Sequence, residues 1–240
     1  MSLEFERGYV NPLMATCGVR WLPLCEYWIM KVDFLDKLLV KYFPHEVALK
    51  IVQDFFLESP QNYTHLLIYA EDVITTPDCI KLLIEDAVKY GFDVVSAWFN
   101  YDFKMNWVSL TKKDLSGLNI TSPHQYEFMN PLDMLNFEDP FMEVFFQGMG
   151  LTLIKRSVLE KVKLYKPYKY IEDEVLGRRM TRGIMFDVSF ALQLKELGIK
   201  QYVDRRAFCI HFGRTIEFIR RNETPRIEFI PKTRKLEIRV

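Results

Sequence analysis

The feature that most constrains the fold is a strand–helix–strand pattern between residues 65 and 97. His65–Tyr69 is an apolar run of the length of a buried strand. A helix begins at Thr76-Pro77, a hydroxyl cap followed by a proline at the first helical position, and it ends at Gly91. Asp93–Ala97 is a second apolar run. The spacing predicts a βαβ unit, and therefore an α/β fold with a mostly parallel central sheet flanked by helices.

Hydrophobic spacing also assigns the segments that precede this unit. Leu13–Gly18 is a short apolar run that predicts a first buried strand and its loop. Between residues 33 and 59 the spacing predicts helices, and Leu35, Leu38 and Leu39 form one apolar stripe of the first of them. The first strand, the helices and the βαβ unit are consistent with a sheet covered on both faces.

Composition favours one protein domain over two and argues against several classes of partner. The chain has 240 residues and is 49% hydrophobic, which is enough to bury one sizeable core. Lys+Arg and Asp+Glu are both 32, so the formal net charge of +0 gives no overall attraction to nucleic acid or anionic membranes. No apolar run approaches the ~20 residues that a membrane-spanning helix needs, and the start lacks a signal-peptide pattern. The four cysteines form no CxxC pair, which predicts reduced thiols in a cytoplasmic protein.

The C-terminal tail has a distinct pattern. Residues 226–240 alternate apolar and polar side chains on either side of Pro231–Arg234, which predicts a β-hairpin. The tail also contains the basic runs Arg220-Arg221 and Lys232–Lys235. A solvated hairpin is the default interpretation of these charges, and pairing with another subunit or contact with an anionic surface are the alternatives.

Acidic residues follow the first strand of the βαβ unit. Glu71 and Asp72 lie where His65–Tyr69 ends and before the helix begins, and ligands of open α/β sheets bind at the carboxyl ends of strands. Carboxylates at such a position can hold Mg²⁺ or Mn²⁺ against a diphosphate. The alternative is that the two acids only cap the loop before the helix.

Further candidates come later in the chain, and each has a structural alternative. Asp187 precedes a helix, where an acid is also an ordinary cap that favours the helix dipole. His211 ends an apolar strand, where a histidine is often a purely structural residue. Gly148 and Gly150 lie in a strand, where they mark a bulge or allow the backbone to approach a ligand closely.

The order of these residues resembles that of the GT-A glycosyltransferases, especially the large family with many inverting members. The resemblance runs from about Leu13 to Gly213. Thr64–Asp78 looks like the family's acidic-motif strand and proline-containing helix start, with Asp72 at the usually metal-binding second aspartate. Phe146–Arg156 is similar to the glycine-bearing strand on the acceptor side. Phe186–Phe190 resembles the motif with the catalytic base, and Cys209–Gly213 resembles the closing strand with a metal-site histidine.

The resemblance implies one GT-A, Rossmann-like domain over residues 1–213 with a tail over 214–240. Its nucleotide-binding half would span about 1–99 and its acceptor-side half about 100–213. It implies a UDP- or GDP-sugar as donor, a glycan or protein as acceptor, and Mn²⁺ or Mg²⁺ as cofactor. The expected activity is a hexosyltransferase-like transfer that inverts the anomeric carbon.

The resemblance also implies a role for each matching residue. The nucleotide and its diphosphate would lie against Ala15, Thr16, Gly18, Asp54, Glu71 and Asp72. The metal ligands would be Asp72, Glu71 and His211, the base that takes the acceptor proton would be Asp187, and the acceptor side would be lined by Gly148, Met149 and Gly150. Tyr101 and Trp107 would form an acceptor wall, with core packing as the alternative.

The sequence departs from the family pattern in its acidic motifs. Ala70 replaces the first aspartate of the metal-binding motif, so Glu71 would have to supply the missing oxygen or Asp72 would act almost alone. Phe186 stands where the family has an acid before the base. Three alternatives therefore stay open: a non-catalytic sugar- or protein-binding module, a sugar nucleotidyltransferase, and a retaining glycosyltransferase. The segment 16–20 is not the Gly-rich phosphate loop typical of nucleotidyltransferases.

Overall fold

The computed structural model describes residues 10–18, 23–102, 107–121, 123–136, 138–175, 178–212 and 224–236. The helices are α1 Pro23–Met30, α2 His45–Glu58, α3 Pro77–Tyr90, α4 Pro131–Asn136, α5 Arg156–Leu159 and α6 Phe186–Glu196. The strands are β1 Pro12–Gly18, β2 Asp36–Lys41, β3 His65–Tyr69, β4 Val73–Ile74, β5 Val94–Asp102, β6 Trp107–Val108, β7 Leu110–Thr111, β8 Phe141–Val144, β9 Phe146–Gln147, β10 Leu151–Lys155, β11 Lys169–Val175, β12 Arg178–Ile184, β13 Gln201–His211 and β14 Arg226–Ile230.

Within the described residues, ten strands form one sheet in the order β14-β2-β1-β3-β10-β5-β13-β4, with β6 beside β5 and β8 beside β13. β1, β2, β3, β5 and β13 share one direction, while β10 runs the opposite way between β3 and β5. β14, β4 and β8 are also antiparallel to their neighbours. The sheet is therefore mixed, and the expectation of a mostly parallel sheet is wrong.

The reversal at β10 has a topological cause. After the carboxyl end of β5 the chain passes through β6 to β9, and it enters the centre of the sheet at Gly150, whose neighbour Leu151 pairs with Tyr69 at the carboxyl end of β3. A strand that enters the sheet from this edge has to run against its parallel neighbours. The predicted βαβ unit of β3, α3 and β5 is confirmed, but β10 separates its two strands.

The ends of α3 follow the predicted capping chemistry. The Thr76 hydroxyl accepts a hydrogen bond of 3.3 Å from the Cys79 N–H, and Pro77 opens the helix. Gly91 adopts a left-handed conformation with φ 70, which ends the helix where a side chain would be strained. Both boundaries were readable from the sequence because each depends on a local residue type.

The predicted helix that included Leu38 and Leu39 is wrong, because these residues lie in strand β2. All six residues of β2 are buried. Leu38 packs on one face of the sheet and Leu39 on the other. A strand buried on both faces has a continuous apolar run, which periodicity alone does not distinguish from a buried helix.

Helices cover both faces of the sheet. One core cluster packs α2, α5 and α6 against the face that carries Leu13, Ala15 and Cys17 of β1. The other cluster packs α1 and α3 against the face that carries Met14. This alternation along β1 is the two-residue period of a strand, and it decides which side chains can reach either side of the sheet.

The tail joins the main sheet at its edge. β14 pairs antiparallel with β2, from Arg226 opposite Lys41 to Ile230 opposite Lys37. In the second half of the predicted hairpin, residues 235–236 are in no strand, and residues 237–240 lie outside the described residues, as does the basic pair Arg220-Arg221. No helix in the described ranges is long and apolar enough to cross a membrane.

A charge cluster of two buried acids and the exposed Arg206 joins α3 to β13. Arg206 donates hydrogen bonds to both oxygens of Asp86, at 3.0 and 2.9 Å, and to Asp204 at 2.9 Å. The two acids also share a hydrogen bond, and Asp204 is fully buried. Burial, followed by the neighbouring Asp204, raises the pKa of the Asp86 carboxyl to about 7.

This cluster predicts a pH-dependent stability. The folded-state pKa of Asp86 lies above its ordinary value of 3.8, so the folded protein retains a proton that the unfolded chain loses between about pH 4 and 7. Stability falls as pH rises through this window. Asp86→Asn should remove this fall, which amounts to on the order of 1–3 kcal/mol of unfolding free energy. Unfolding midpoints measured from pH 5 to 8 provide the comparison. Asp78→Asn, at an exposed position of the same helix, is the control, and equal pH slopes for all three proteins would contradict the account.

Candidate functional site

The sequence-predicted acids and histidine come together at one edge of the sheet. β1 ends at Gly18, its neighbour β3 ends at Tyr69 and is followed by Glu71 and Asp72, and β13 ends at His211. These three strands run in the same direction, so all of these residues lie at the carboxyl edge. This is the edge where ligands of open α/β sheets bind.

Gly18 leaves room for the Glu71 side chain. A Cβ atom at Gly18 would lie 2.1 Å from the Cδ atom of Glu71 and 2.2 Å from its Oε1 atom. The Glu71 carboxylate therefore lies directly over the end of β1, and it is almost wholly buried. The absence of a side chain at residue 18 is what brings an acid of the β3 loop onto β1.

Asp72 and His211 form the second part of the edge. The His211 Nε2 atom lies 3.4 Å from the Asp72 Oδ2 atom, and both side chains retain some exposure, 18% and 11%. The backbone holds this pair, because His211 is opposite Val73 in the β13–β4 ladder and the Phe212 N–H donates to the Asp72 carbonyl at 2.9 Å. Two strands from distant parts of the sequence thus set the distance between carboxylate and imidazole.

Ala70 supplies a methyl group, and no carboxylate, to this edge. Its N–H donates a hydrogen bond of 2.8 Å to the Gly150 carbonyl, which fixes the backbone between β3 and β10. The half-buried methyl group packs against the apolar cluster beneath α1 and α3.

Phe99 connects the glycine segment to His211, and sequence analysis missed it. A Cβ atom at Gly150 would lie 2.4 Å from the Phe99 Cε1 atom, and one at Gly148 would lie 2.9 Å from its Cζ atom. The centroids of the Phe99 and His211 rings are 4.9 Å apart. The alternation of side chains along β5 is the sequence signal that could have placed Phe99 on this side of the sheet. No local sequence pattern indicates its contact with His211.

The expected nucleotide residues of β1 divide between the two faces of the sheet. Ala15 packs in the core beneath α2, away from the face with Met14. Thr16 is fully buried, and its hydroxyl has no hydrogen-bond partner among the described residues. Alternation along β1 places Thr16 on the same face as Gly18 and Met14, so Thr16 and Gly18 share a side that Ala15 does not.

Helix α1 flanks the acids. Burial raises the pKa of the Cys25 thiol to about 12, with further contributions from the charges of Asp72 and Glu71. Cys25 belongs to α1 and is fully buried, so the first helix lies within electrostatic range of both carboxylates. Sequence analysis did not assign Cys25 to this site.

Asp187 lies at the start of α6, within the segment that was expected to form an acceptor side. One of its oxygens accepts a 2.9 Å hydrogen bond from the Val188 N–H, and burial raises the pKa of its carboxyl to about 6. Its charge also contributes to a raised pKa of Tyr126, which places the two side chains near each other. α6 packs on β9, and β9 leads through Gly148 and Met149 into β10.

An aromatic cluster surrounds Tyr126. The rings of Tyr126 and Phe128 are stacked with centroids 4.7 Å apart, and Phe128 also contacts Tyr101 and Trp107. Tyr101 is exposed and Trp107 half-buried, so this cluster combines packing with accessible ring surface beside Asp187.

Asp54 lies away from the site. It forms an ion pair with Lys50, with 2.5 Å between Nζ and Oδ2, and both side chains are about half exposed. α2 follows β2 and runs back from the carboxyl edge, which puts Asp54 about 13 Å along the helix axis from His45. The expected contact of Asp54 with the nucleotide is not supported by this position.

The donor atoms at this edge suit a cation that also coordinates oxygen atoms of a bound small molecule. Among the described residues no three His, Cys, Asp or Glu side chains are arranged to hold a metal ion. Asp72 and His211 supply one carboxylate and one imidazole, and Glu71 lies on the neighbouring strand. Mg²⁺ and Mn²⁺ are commonly held by one or two protein carboxylates, with phosphate oxygens and water completing the coordination. The pair fits that arrangement better than a closed protein cage.

Comparison with known proteins bears on the fold. No protein-family model matches the sequence, and no curated protein matches it. The chain is similar to the crystal structure of A197 from STIV, with a TM-score of 0.51 and 22% identity over 81% of each chain. At this identity the likeness concerns the fold alone.

The contact between Gly150 and Phe99 can be tested without a ligand. Gly150→Ala places a methyl group against the ring and should destabilise the protein by about 1–3 kcal/mol in chemical unfolding. In a Phe99→Leu background the added methyl meets a smaller side chain, so its cost should fall. A double-mutant cycle measures the difference. Additive effects of the two substitutions would show that the ring does not determine the need for glycine.

Proposed function

We propose that this protein is a glycosyltransferase that moves a sugar from a nucleotide-diphosphate sugar to an acceptor hydroxyl. The observation that carries the proposal is the meeting of Glu71, Asp72 and His211 at the carboxyl edge of the sheet, beside Gly18. The resemblance of the sequence motifs to those of GT-A enzymes supports the same assignment independently of the geometry.

Electrostatics supports a bound divalent cation in this function. Glu71 and Asp72 are adjacent carboxylates, and a diphosphate brought to them would be repelled by like charge. Asp72 and His211 would hold a Mn²⁺ or Mg²⁺ ion there, and Glu71 would orient the coordination shell of that ion. Such an ion, when bound, neutralises the charge that develops on the leaving nucleoside diphosphate.

On the donor side, the chain's own residues provide shape and polar contacts. Thr16 has a buried hydroxyl without a partner among the described residues, and it lies on the face of β1 that leads to Gly18. In the proposed function this hydroxyl hydrogen-bonds the nucleotide, and the glycine end of β1 lets the ligand approach the backbone.

On the acceptor side, Asp187 is proposed to take the proton from the attacking hydroxyl. A general base works best when its pKa lies near the working pH, and the pKa of Asp187 is raised to about 6. The carboxylate would hold the acceptor hydroxyl while the oxygen attacks the anomeric carbon from the face opposite the leaving diphosphate. This geometry inverts that carbon. The aromatic cluster around Tyr126 and Phe128 would provide stacking surface for an acceptor sugar.

A non-catalytic sugar- or protein-binding module is the second candidate. Two observations favour it: Ala70 packs against the core where the family has an acid, and no three-residue metal-holding group is present in the described part of the chain. A module of this kind would bind a ligand on the same edge without needing the base at Asp187. The nucleotidyltransferase alternative gains no support, because the segment 16–20 after the first strand is not a Gly-rich phosphate loop.

The donor site predicts metal-dependent nucleotide binding. Calorimetric titration of UDP and of GDP should give binding of at least one nucleotide with Mn²⁺ and at least tenfold weaker binding with a chelator. Asp72→Ala should remove the metal-dependent part of the affinity. Asp54→Ala is the matched control, because Asp54 lies on the outer side of α2 and should leave both affinities unchanged.

Two outcomes would contradict parts of this account. Binding that does not depend on metal would overturn the roles of Asp72 and His211 while leaving a nucleotide site. Absence of binding of either nucleotide in every condition would favour the non-catalytic module.

Catalysis through Asp187 predicts a pH dependence. The carboxyl has to be ionised to accept a proton, so transfer activity should rise from pH 5 to 7 and level off above its pKa of about 6. Asp187→Asn should lower the turnover rate by about 10²–10⁴-fold and abolish the rise. The rates are measured with radiolabelled nucleotide sugars after a screen for the accepted donor.

Asp114→Asn is the control for this profile. Asp114 is an exposed acid whose pKa is lowered to about 2 by its hydrogen bond with Lys195. It therefore does not titrate between pH 5 and 7, and its removal should leave the profile in place. A profile that is unchanged in Asp187→Asn would show that another group accepts the proton.

A further inference from the structure

The main sheet ends at β14 on one side. Within the described residues, β14 pairs with β2 and with no other strand. Two of its five side chains are large, apolar and exposed, Ile227 at 51% and Phe229 at 41%. An end strand of this kind presents backbone groups and apolar side chains to a further strand. Pro225 and Pro231 lie on either side of β14, and because a proline has no N–H, they limit such pairing to the segment between them.

The backbone of β14 directs two residues away from the sheet. The Tyr42 N–H donates a 2.9 Å hydrogen bond to a carbonyl of β1, so the preceding Lys41 carbonyl points the other way, to β14. Lys41 is opposite Arg226, and the direction of the backbone groups alternates along a strand. The N–H and C=O groups of Arg226 therefore point to β2, and those of Ile227 and Phe229 point outward.

The side chains of Ile227 and Phe229 lie on the face of the sheet that α2 covers. They are opposite two residues of the core cluster that packs against α2. The centroid of the Phe55 ring of α2 is 5.7 Å from that of Phe229. Ile51 and Val47 precede Phe55 at intervals of four residues, which places them along the same side of the helix, and Val47 is 44% exposed. The end strand and this side of α2 form one apolar surface.

The charged side chains of β14 lie on the other face. The Arg226 Nε atom is 2.6 Å from the Glu228 Oε1 atom, and the Glu228 Oε2 atom is 3.3 Å from the Lys41 Nζ atom. The Arg226 and Glu228 side chains keep exposed fractions of 49% and 36%, so each is still accessible to a charge on an added strand. β14 therefore has apolar side chains on one face and one charge of each sign on the other.

We propose that β14 pairs antiparallel with β14 of a second copy of this chain. A two-fold axis makes such an interface self-complementary, and registers centred on residue 227, 228 or 229 keep the outward backbone groups paired. Centring on 228 places Glu228 opposite its own counterpart, and centring on 229 places Arg226 opposite Lys232, so both oppose like charges. Centring on 227 places Arg226 of each copy opposite Glu228 of the other. Charge complementarity selects this register, in which the two Ile227 residues are hydrogen-bonded partners.

The paired strands join the sheets of two copies into one. Ile227 lies at the two-fold axis on the α2 face, and contact there removes its apolar surface and that of Phe229 from water. The interface is at the end of the sheet opposite to β13 and β4, so it leaves the edge with Asp72 and His211 open. The inference holds whether or not the protein is a transferase.

Sedimentation equilibrium of the full chain tests the proposal. As protein concentration rises, the mass should approach twice that of one chain. Ile227→Lys places two ammonium groups side by side at the axis and should weaken the dimer at least tenfold. Because Ile227 is half exposed, the fold should persist, and circular dichroism checks this. Leu135→Lys, at a leucine of α4 that is 64% exposed, is the matched control and should leave the dimer unchanged.

Cysteine cross-linking tests the register. Ile227→Cys should give disulfide-linked pairs of chains under mild oxidation, because opposite residues in a hydrogen-bonded pair have Cα atoms about 5.5 Å apart, within the range of a disulfide. Phe229→Cys should not link, because the two substituted positions would be four residues out of register, about 13 Å apart. The unsubstituted chain should not link under the same conditions.

Several results would overturn the proposal. Sedimentation as a single chain at every concentration, with the Ile227 amide protected from hydrogen exchange, would assign the outer side of β14 to another segment of the same chain; without protection it would show that nothing pairs there. A dimer that Ile227→Lys leaves intact would place the interface elsewhere. Equal weakening by Leu135→Lys would indicate unspecific apolar association. Linking of Phe229→Cys in place of Ile227→Cys would contradict the register.

Discussion

The structure depends on the pairing of β10 with both β3 and β5. This strand runs against its two neighbours and joins β1, β2 and β3 on one side to β5 and β13 on the other. Its first residue is preceded by Gly150, whose carbonyl accepts the Ala70 N–H. The same few residues therefore close the centre of the sheet and position the loop that carries Glu71 and Asp72. A disturbance at Gly150 would affect the sheet and the candidate site together.

The candidate site combines charged side chains with glycines that leave room for them and for a neighbouring ring. Gly18 admits the Glu71 carboxylate, and Gly150 admits the Phe99 ring that packs on His211. In both cases a glycine is needed because another residue's side chain occupies the position of its Cβ atom. Ala70, packed against the apolar cluster beneath α1 and α3, adds no carboxylate to this edge. In the proposed function, a cation bound by Asp72 and His211 would complete its coordination with phosphate oxygens of the ligand.

Local features of the sequence predicted local features of the structure. β3, the Thr76-Pro77 start of α3 and its end at Gly91 follow from residue types within a few positions of each boundary. That Asp72 and His211 would lie together was implied by the resemblance of their segments to GT-A motifs, and the shared carboxyl edge of parallel strands gives the physical reason for it.

Features set by distant parts of the chain could not be predicted in the same way. The burial of β2 on both faces removed the periodicity that would have marked it as a strand. The direction of β10 depends on where the excursion after β5 returns, which no local pattern encodes. Asp54 had a suitable sequence position but faces solvent beside Lys50.

The most direct test of the central claim is where Mn²⁺ binds, read from the side chains of the four histidines. Histidine-ring NMR spectra can be recorded while substoichiometric Mn²⁺ is added in the presence of UDP or GDP, because a paramagnetic ion broadens nearby resonances most strongly. The account predicts that the His211 signals disappear first, and that those of His65, at the opposite end of β3, persist longest. Equal broadening of His211 and His65, or selective loss of a different histidine, would contradict a cation site at the Asp72–His211 edge.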